Sequence, residues 1–394
     1  MTENFPLGGW AYPALKELTI EHIDLWAGMG LTVTMSPQVA FQDKEDLEEL
    51  KKWLDKAAEK DMKLIMFIHG FGGLDVYEKN FTQVYEMYKG HPALYGFFVS
   101  DEPSDPGAVN FCCEVMRIQK KVAPELTPYI NFTGGMCEMK DKLYPNMSFG
   151  EFIKDYMDKC GCDTFCYDSY AQTINDGGVT AHMKALKAFA DAADYAGAKW
   201  WLTPLCSAHY AYRLPDEYMY MWQITTAAAC GCKGITWFRL YDRKFLPNYY
   251  GSPIDEYFEP SEQYHMLKRC HKRFNDQYGK IMLTLNRKAS YLIGFQRGEW
   301  DMFSDDMHDC VTAVRSFENG IISFFEDKDG NEYLCLVNAE YKQVGSFTLK
   351  LDSSKCTLTE LLKNGTLKNN YRETDSLEVM LYPGQMVLYQ INRK

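Results

Sequence analysis

The chain has 394 residues, too many for one compact core of ordinary size, so two domains are expected. A hydrophobic fraction of 46% marks a globular protein, and a formal charge of −12 argues against nucleic acid or an anionic membrane surface as a partner. The same charge argues against a polyanionic substrate and favours a neutral ligand.

The opening stretch, MTENFPLGGWAYP, lacks the basic and apolar regions of a signal peptide, and no window approaches 18 uninterrupted apolar residues. From there to about residue 283, apolar runs alternate with amphipathic stretches. The predicted strands are Gly8–Ala11, Thr32–Met35, Leu64–Ile68, Tyr95–Ser100, Pro128–Phe132, Thr164–Tyr167, Trp200–Thr203 and Gly234–Phe238. Several are apolar almost throughout, as strands buried on both faces should be. Between them lie helices such as Lys44–Lys60, with Leu47, Leu50 and Leu54 on one stripe. A strand every 30-odd residues is one βα unit, and eight units predict a (β/α)8 barrel over residues 1–283. A doubly wound open sheet is the alternative, but it rarely runs to eight regular units. After the last barrel helix, around Tyr264–Met282, the pattern becomes short and β-rich: Gly320–Phe325, Glu332–Asn338, Ser346–Leu351 and Met386–Ile391. Turn signals at Asp329–Gly330, Asn364–Gly365 and Pro383–Gly384 separate these runs, and only Thr357–Leu362 reads as helix. This predicts a small antiparallel β-sandwich over residues 284–394, either a support for the barrel or a sugar-binding module.

Active sites of such barrels lie at the C-terminal strand ends. Strand 1 ends there in Trp10 and Tyr12, strand 3 in His69, strand 4 in Asp101 and Glu102, and strand 5 in Asn131. Strand 6 offers Asp168 and Tyr170, strand 7 His209, and strand 8 Trp237, Arg239, Tyr241 and Asp242. Carboxylates that move protons, with aromatic faces that stack on pyranose rings, suit carbohydrate chemistry. A total of 27 Tyr and 8 Trp points the same way. Strand 4 carries the sharpest signal, because it runs straight into two acids and a proline, which cannot continue a ladder. Repulsion between adjacent carboxylates should raise one pKa toward the range of a general acid. Capping of the next helix is the competing role for Glu102, but Ser104 and Asp105 stand closer to that helix. Asp168 is the second catalytic candidate, with a substrate-hydroxyl ligand or a turn residue as its alternatives. Arg239 and Asp242 are near enough in sequence to form a rim ion pair instead of binding substrate.

The segment HPALYGFFVSDEP resembles the strand-4 motif of the retaining (β/α)8 glycosidases that include β-galactosidases and cellulases. There an Asn-Glu-Pro turn presents the acid/base, which implies that role for Glu102. Pro215–Phe238 resembles the seventh helix and eighth strand of bacterial galactosidase-like barrels, and LYPGQMVLYQI the closing strands of their accessory β-domains. Two departures stand out. Asp101 replaces the usual Asn, and adjacent Asp-Glu pairs also resemble hexosaminidases in which the substrate's acetamide is the nucleophile. The family's strand-7 Glu is missing, since WWLTPLCSAHY holds no acid before Asp216 and Glu217, which read as a helix start. Asp168, Asp242 or a substrate acetamide are left as nucleophiles. A barrel that binds carbohydrate without cleaving it is the third reading.

Thirteen cysteines without disulfide-like spacing suit reduced thiols and a cytoplasmic location; a chain trimmed of a leader would read identically and be secreted. Cys160, Cys162 and Cys166, and Cys230 and Cys232, lack the paired spacing of zinc sites, so no metal is expected. His69 and His209 read as polar contacts to sugar. Gly70, Gly72 and Gly73 accompany no phosphate-binding lysine, and no cofactor is expected.

Overall fold

The computed structural model describes residues 4–175, 177–243, 248–297, 299–305, 307–371 and 374–394. Among the described residues, eight parallel strands alternate with the eight main helices of the barrel. The strands are β1 (Leu7–Gly9), β2 (Val33–Met35), β3 (Lys63–Met66), β4 (Leu94–Asp101), β5 (Tyr129–Thr133), β6 (Thr164–Asp168), β7 (Lys199–Thr203) and β8 (Ile235–Trp237). The helices that follow them in turn are α1 (His22–Gly28), α2 (Lys44–Glu59), α3 (Leu74–Tyr88), α4 (Pro106–Val122), α5 (Phe149–Cys160), α6 (Gly177–Ala196), α7 (Glu217–Ala229) and α8 (Glu262–Phe274).

Pairing runs in sequence from β2 to β8, and β8 pairs with β1. The cylinder closes between β1 and β2: Thr32 N–H donates to Leu7 O at 2.7 Å. The Thr34 hydroxyl accepts from Gly9 N–H at 3.0 Å and donates to Gly9 O at 2.8 Å. Closure needs a glycine, because a Cβ at Gly8 would sit 1.8 Å from Val33 O. The barrel interior is aromatic, with Trp10, Phe67, Tyr129 and Trp201 among its buried residues. Between sheet and helices, α2 contributes Leu47, Leu50, Trp53 and Leu54 from one stripe.

α8 continues without a break to Thr284, and strand β9 begins at Asn286. Among the described residues nine antiparallel strands follow: β9 (Asn286–Ile293), β10 (Val311–Arg315), β11 (Gly320–Glu326), β12 (Glu332–Asn338), β13 (Gly345–Leu351), β14 (Cys356–Leu362), β15 (Leu367–Tyr371), β16 (Ser376–Leu381) and β17 (Met386–Arg393). They form a six-stranded sheet, β9-β11-β12-β17-β14-β15, and a three-stranded sheet, β10-β13-β16. Leu334, Leu336, Phe347, Leu349 and Val387 are in the core between them. The stretch Thr357–Leu362, expected as helix, is strand β14. It pairs with β15 and β17, and its residues are buried or half-buried between those neighbours.

The two units share a tight interface. Every residue of α7 from Met219 to Ala229 is buried, because the barrel covers one side and the β-sandwich the other. Trp222 Nε1 donates to Ala339 O at 2.7 Å, the Thr225 hydroxyl to Gly384 O at 2.7 Å, and Trp300 Nε1 to Met183 O at 2.7 Å. Arg287 reaches Asp191 and Asp194 of α6 at 2.6 and 2.7 Å. All thirteen cysteines are free thiols. Among the described residues no helix is long and apolar enough to cross a membrane.

Candidate active site

At the C-terminal mouth, β4 departs from regular alternation. Phe98 pairs with Tyr129, but Ser100 pairs with Ile130, so one extra residue bulges the strand. The bulge shifts the parity, and Asp101 becomes the direct cross-strand partner of Asn131. Partners across a ladder face the same way, and the Asn131 amide donates to Asp101 Oδ1 at 2.9 Å. On its other oxygen Asp101 accepts from the Tyr12 hydroxyl at 3.5 Å.

Glu102 follows with φ = 45°, a left-handed conformation that costs a non-glycine residue about 1–2 kcal/mol. Its own N–H donates to Asn131 O at 2.8 Å, which pins the turn. The twist interrupts the alternation again, so the Glu102 carboxyl also enters the mouth and meets Asp168 from β6 in hydrogen-bonding contact. Helix capping does not occupy it. Asp105 caps α4 by accepting from Ala108 N–H at 3.0 Å, and Pro106 takes the first helical position.

Asp168 is 7% exposed and accepts from Gly134 N–H at 3.1 Å. Burial pushes its pKa well above the usual carboxylate range, and the charges of Glu102 and Asp101 push it further. Asp101 is also raised, to about 6, chiefly by burial, while the Asn131 amide acts against the shift and the neighbouring Glu102 adds to it. Water reaches Asp101 from above while protein crowds its other sides, so its shift is smaller than that of the enclosed Asp168. Adjacency on β4 is therefore a secondary cause, and burial is the main one.

Aromatic rings frame the acids. Phe238 lies at the centre of the floor, with Tyr12 at 5.5 Å, Tyr249 at 5.7 Å and Tyr170 stacked at 6.0 Å between centroids. Tyr212 meets Tyr170 edge to face at 5.5 Å. Phe238, Tyr212 and Tyr249 were not among the predicted site residues. Phe238 is readable from alternation, because Thr236 faces the barrel interior, where it bonds Tyr129 at 2.8 Å, and Phe238 is two residues on. Tyr249 comes from the loop after β8, whose course no periodicity reveals.

Several predicted substrate contacts lie elsewhere. Trp237 is 0% exposed on the helix-facing side, where its Nε1 donates to His271 Nε2 at 2.7 Å. Trp10 is 0% exposed, one layer below the mouth beneath Tyr12. Tyr241 is 1% exposed, and its hydroxyl is engaged by Trp26 Nε1 and His22 Nδ1. None of these three rings can stack on a ligand at the mouth. The Arg239–Asp242 ion pair is also absent: Asp242 accepts from Ser252 N–H at 2.8 Å, and Arg239 Nε donates to Tyr241 O at 2.7 Å. His209 stacks on Tyr249 at 3.8 Å and bonds Asn248 O at 2.7 Å, while His69 is exposed at the rim. Asp216 caps α7, and Glu217 pairs with Arg269.

Among the described residues, one cluster has metal-ligand geometry, His308, Asp309 and Cys310 in the β-sandwich, and it contains none of the cysteines weighed from spacing. A cleft of about 330 Å³ between α8 and the β-sandwich, lined by Arg273, Phe274, Tyr278 and Met386, has no carboxylate in its wall. The clustered acids Asp101, Glu102 and Asp168 lie at the barrel mouth.

The fold, a (β/α)8 barrel followed by a C-terminal β-domain, is similar to that of several solved structures of glycoside hydrolases. One similar structure is a glycoside hydrolase that aligns over 98% of this chain and 92% of its own, at 13% identity and TM-score 0.60. A family 5 glycoside hydrolase from Bacteroides vulgatus ATCC 8482 aligns over 98% and 89%, at 10% identity and TM-score 0.58. A family 39 glycoside hydrolase from Bacteroides cellulosilyticus WH2 aligns over 100% and 82%, at 11% identity and TM-score 0.53. No protein-family model and no curated protein matches the sequence.

Proposed function

We propose that this chain is a glycosidase that hydrolyses an O-glycosidic bond of an oligosaccharide or glycoconjugate, with Glu102 and Asp168 as its acid pair. The observation that carries the reading is their contact at the barrel mouth, on a backbone twist that no capping duty explains. Asp168 is the buried, proton-holding member. Glu102, exposed to the cleft, relays that proton from Asp168 to the glycosidic oxygen as the C–O bond breaks, and the water that finally takes the anomeric carbon returns a proton to Asp168. An inverting pair stands roughly 6.5–9.5 Å apart to admit its water, whereas Glu102 is close enough to Asp168 to raise its affinity for a proton. The pair therefore serves as one proton-handling unit, and the group that attacks the anomeric carbon comes from elsewhere. Asp101, fixed by Asn131 and Tyr12, faces the sugar's 2-position.

Glu102→Gln should lower kcat/KM by about 10²–10⁴-fold on the best aryl or natural glycoside while leaving the thermal transition in place. Unchanged turnover would remove Glu102 from the mechanism.

A second reading has its own support: Thr203, Pro204, Leu205, Cys206 and Ser207, at and after the end of β7, include no carboxylate. A 2-acetamido group of the substrate would then attack, with its N–H donated to Asp101. Hydrolysis of a 2-acetamido aryl glycoside, and none of its 2-hydroxy counterpart, distinguishes this route.

A further inference from the structure

Arg239 occupies the mouth with no carboxylate in ion-pair contact among the described residues. It is 8% exposed, and its Nε bonds a main-chain oxygen. Its guanidinium lies 5.0 Å from the Tyr12 ring centroid and 5.4 Å from that of Tyr249. Arg243 approaches the same Tyr249 ring at 5.8 Å. Neither arginine has an ion-pair partner among the described residues, and Asp242, the nearest acid in sequence, is turned to Ser252. Burying a guanidinium without a paired counter-charge is costly, and the faces of two tyrosines offset only part of that cost. Such a group is complete only when an anion joins it.

We propose that Arg239 and Arg243 receive the carboxylate of a hexuronic acid unit seated beside the Glu102–Asp168 pair. The proposal rests on the glycosidase reading and narrows its substrate. A planar fork of N–H donors matches a carboxylate in two parallel hydrogen bonds. Tyr12 links the two regions, with its ring under Arg239 and its hydroxyl on Asp101, so the cation is one side chain away from the acids. Phe238 and Tyr249 supply apolar faces for the pyranose ring between them. The neutral-ligand expectation came from the net charge of the whole chain, which averages over this local reversal of sign. The acids at the mouth still repel a densely charged polymer, and a single carboxylate directed at the arginines avoids them.

Calorimetric titration of the full chain with glucuronate, galacturonate, glucose and glucose 6-sulfate tests the proposal. At least one hexuronate should bind 10-fold or more tightly than glucose. Arg239→Gln should abolish that preference, and Glu102→Gln should retain it. Arg243→Gln, at the half-buried rim, should weaken the preference several-fold in a variant whose core is untouched. Equal binding of hexuronates and glucose, or a preference that survives both arginine variants, overturns the proposal. Tighter binding of glucose 6-sulfate than of either hexuronate overturns the carboxylate assignment. Hydrolysis of neutral glycosides without a hexuronate preference removes this inference and leaves the glycosidase reading standing. A hexuronate preference in a chain that hydrolyses nothing supports the anion subsite and removes the glycosidase reading.

Discussion

Asp168 binds its proton more tightly in the folded chain than in the unfolded one, because burial and two neighbouring carboxyls act in the same direction. A carboxyl raised in this way supports folding fully at acid pH, and that support is lost as the pH rises through its folded-state pKa. Asp168→Asn removes the titration and can still accept from Gly134 N–H. Its melting temperature should exceed that of the parent by several degrees at pH 8, and the gap should close toward pH 5. An equal melting temperature at pH 8 would mean that the buried carboxyl ionises without cost. Activity should fall in the same variant, as expected where a functional group is held against stability. At this scale the sequence was informative where chemistry and position coincide. Asp101, Glu102, Asn131, Asp168 and Tyr170 lie in the last residues of their strands or just beyond them and meet at one mouth. Trp10, Trp237 and Tyr241 end strands too, but aromatic type alone does not separate a platform from a core side chain.

At the scale of elements, the strand positions followed from apolar runs and the helices from their stripes, whereas orientation depended on details that composition conceals. A single-residue change in parity exchanges Trp237 for Phe238 at the mouth, and only the β4 bulge turns Asp101 inward. The β14 segment illustrates a different limit. Leucine and threonine in a short run suit either a helix or a half-buried strand, and the pairing partners decide. Closure of the cylinder rests on Gly8. Gly8→Ala forces a methyl group into Val33 O and should cost at least about 3 kcal/mol, measured by denaturant unfolding. Gly135→Ala, where an added Cβ meets nothing nearer than 3.9 Å, should be close to neutral. Equal effects at the two glycines would mean that the β1–β2 seam can open without penalty.

Across the whole molecule, Arg287 fastens the β-sandwich to α6 with a side chain 5% exposed, while both aspartates keep access to solvent. Burial leaves Asp194 above its usual range despite the arginine, whereas Asp191 is drawn below. The attachment is therefore weaker than that of a fully enclosed pair. Arg287→Met should cost about 2 kcal/mol in chemical denaturation, and a change below about 0.5 kcal/mol would assign the cohesion to apolar contacts alone. The two-part plan was legible from the shift in periodicity near residue 283. The depth of the junction was not, because a helix such as α7, apolar on all sides, reads equally as an internal barrel segment.

That helix has a consequence for how the chain comes apart. With both neighbours resting on α7, a protease that nicks the connection near Thr284 should release no free fragment, and the cleaved halves should co-elute until denaturant is added. The β-sandwich thus acts as a permanent wall of the barrel, and a truncated cylinder would expose an oily flank that invites self-association.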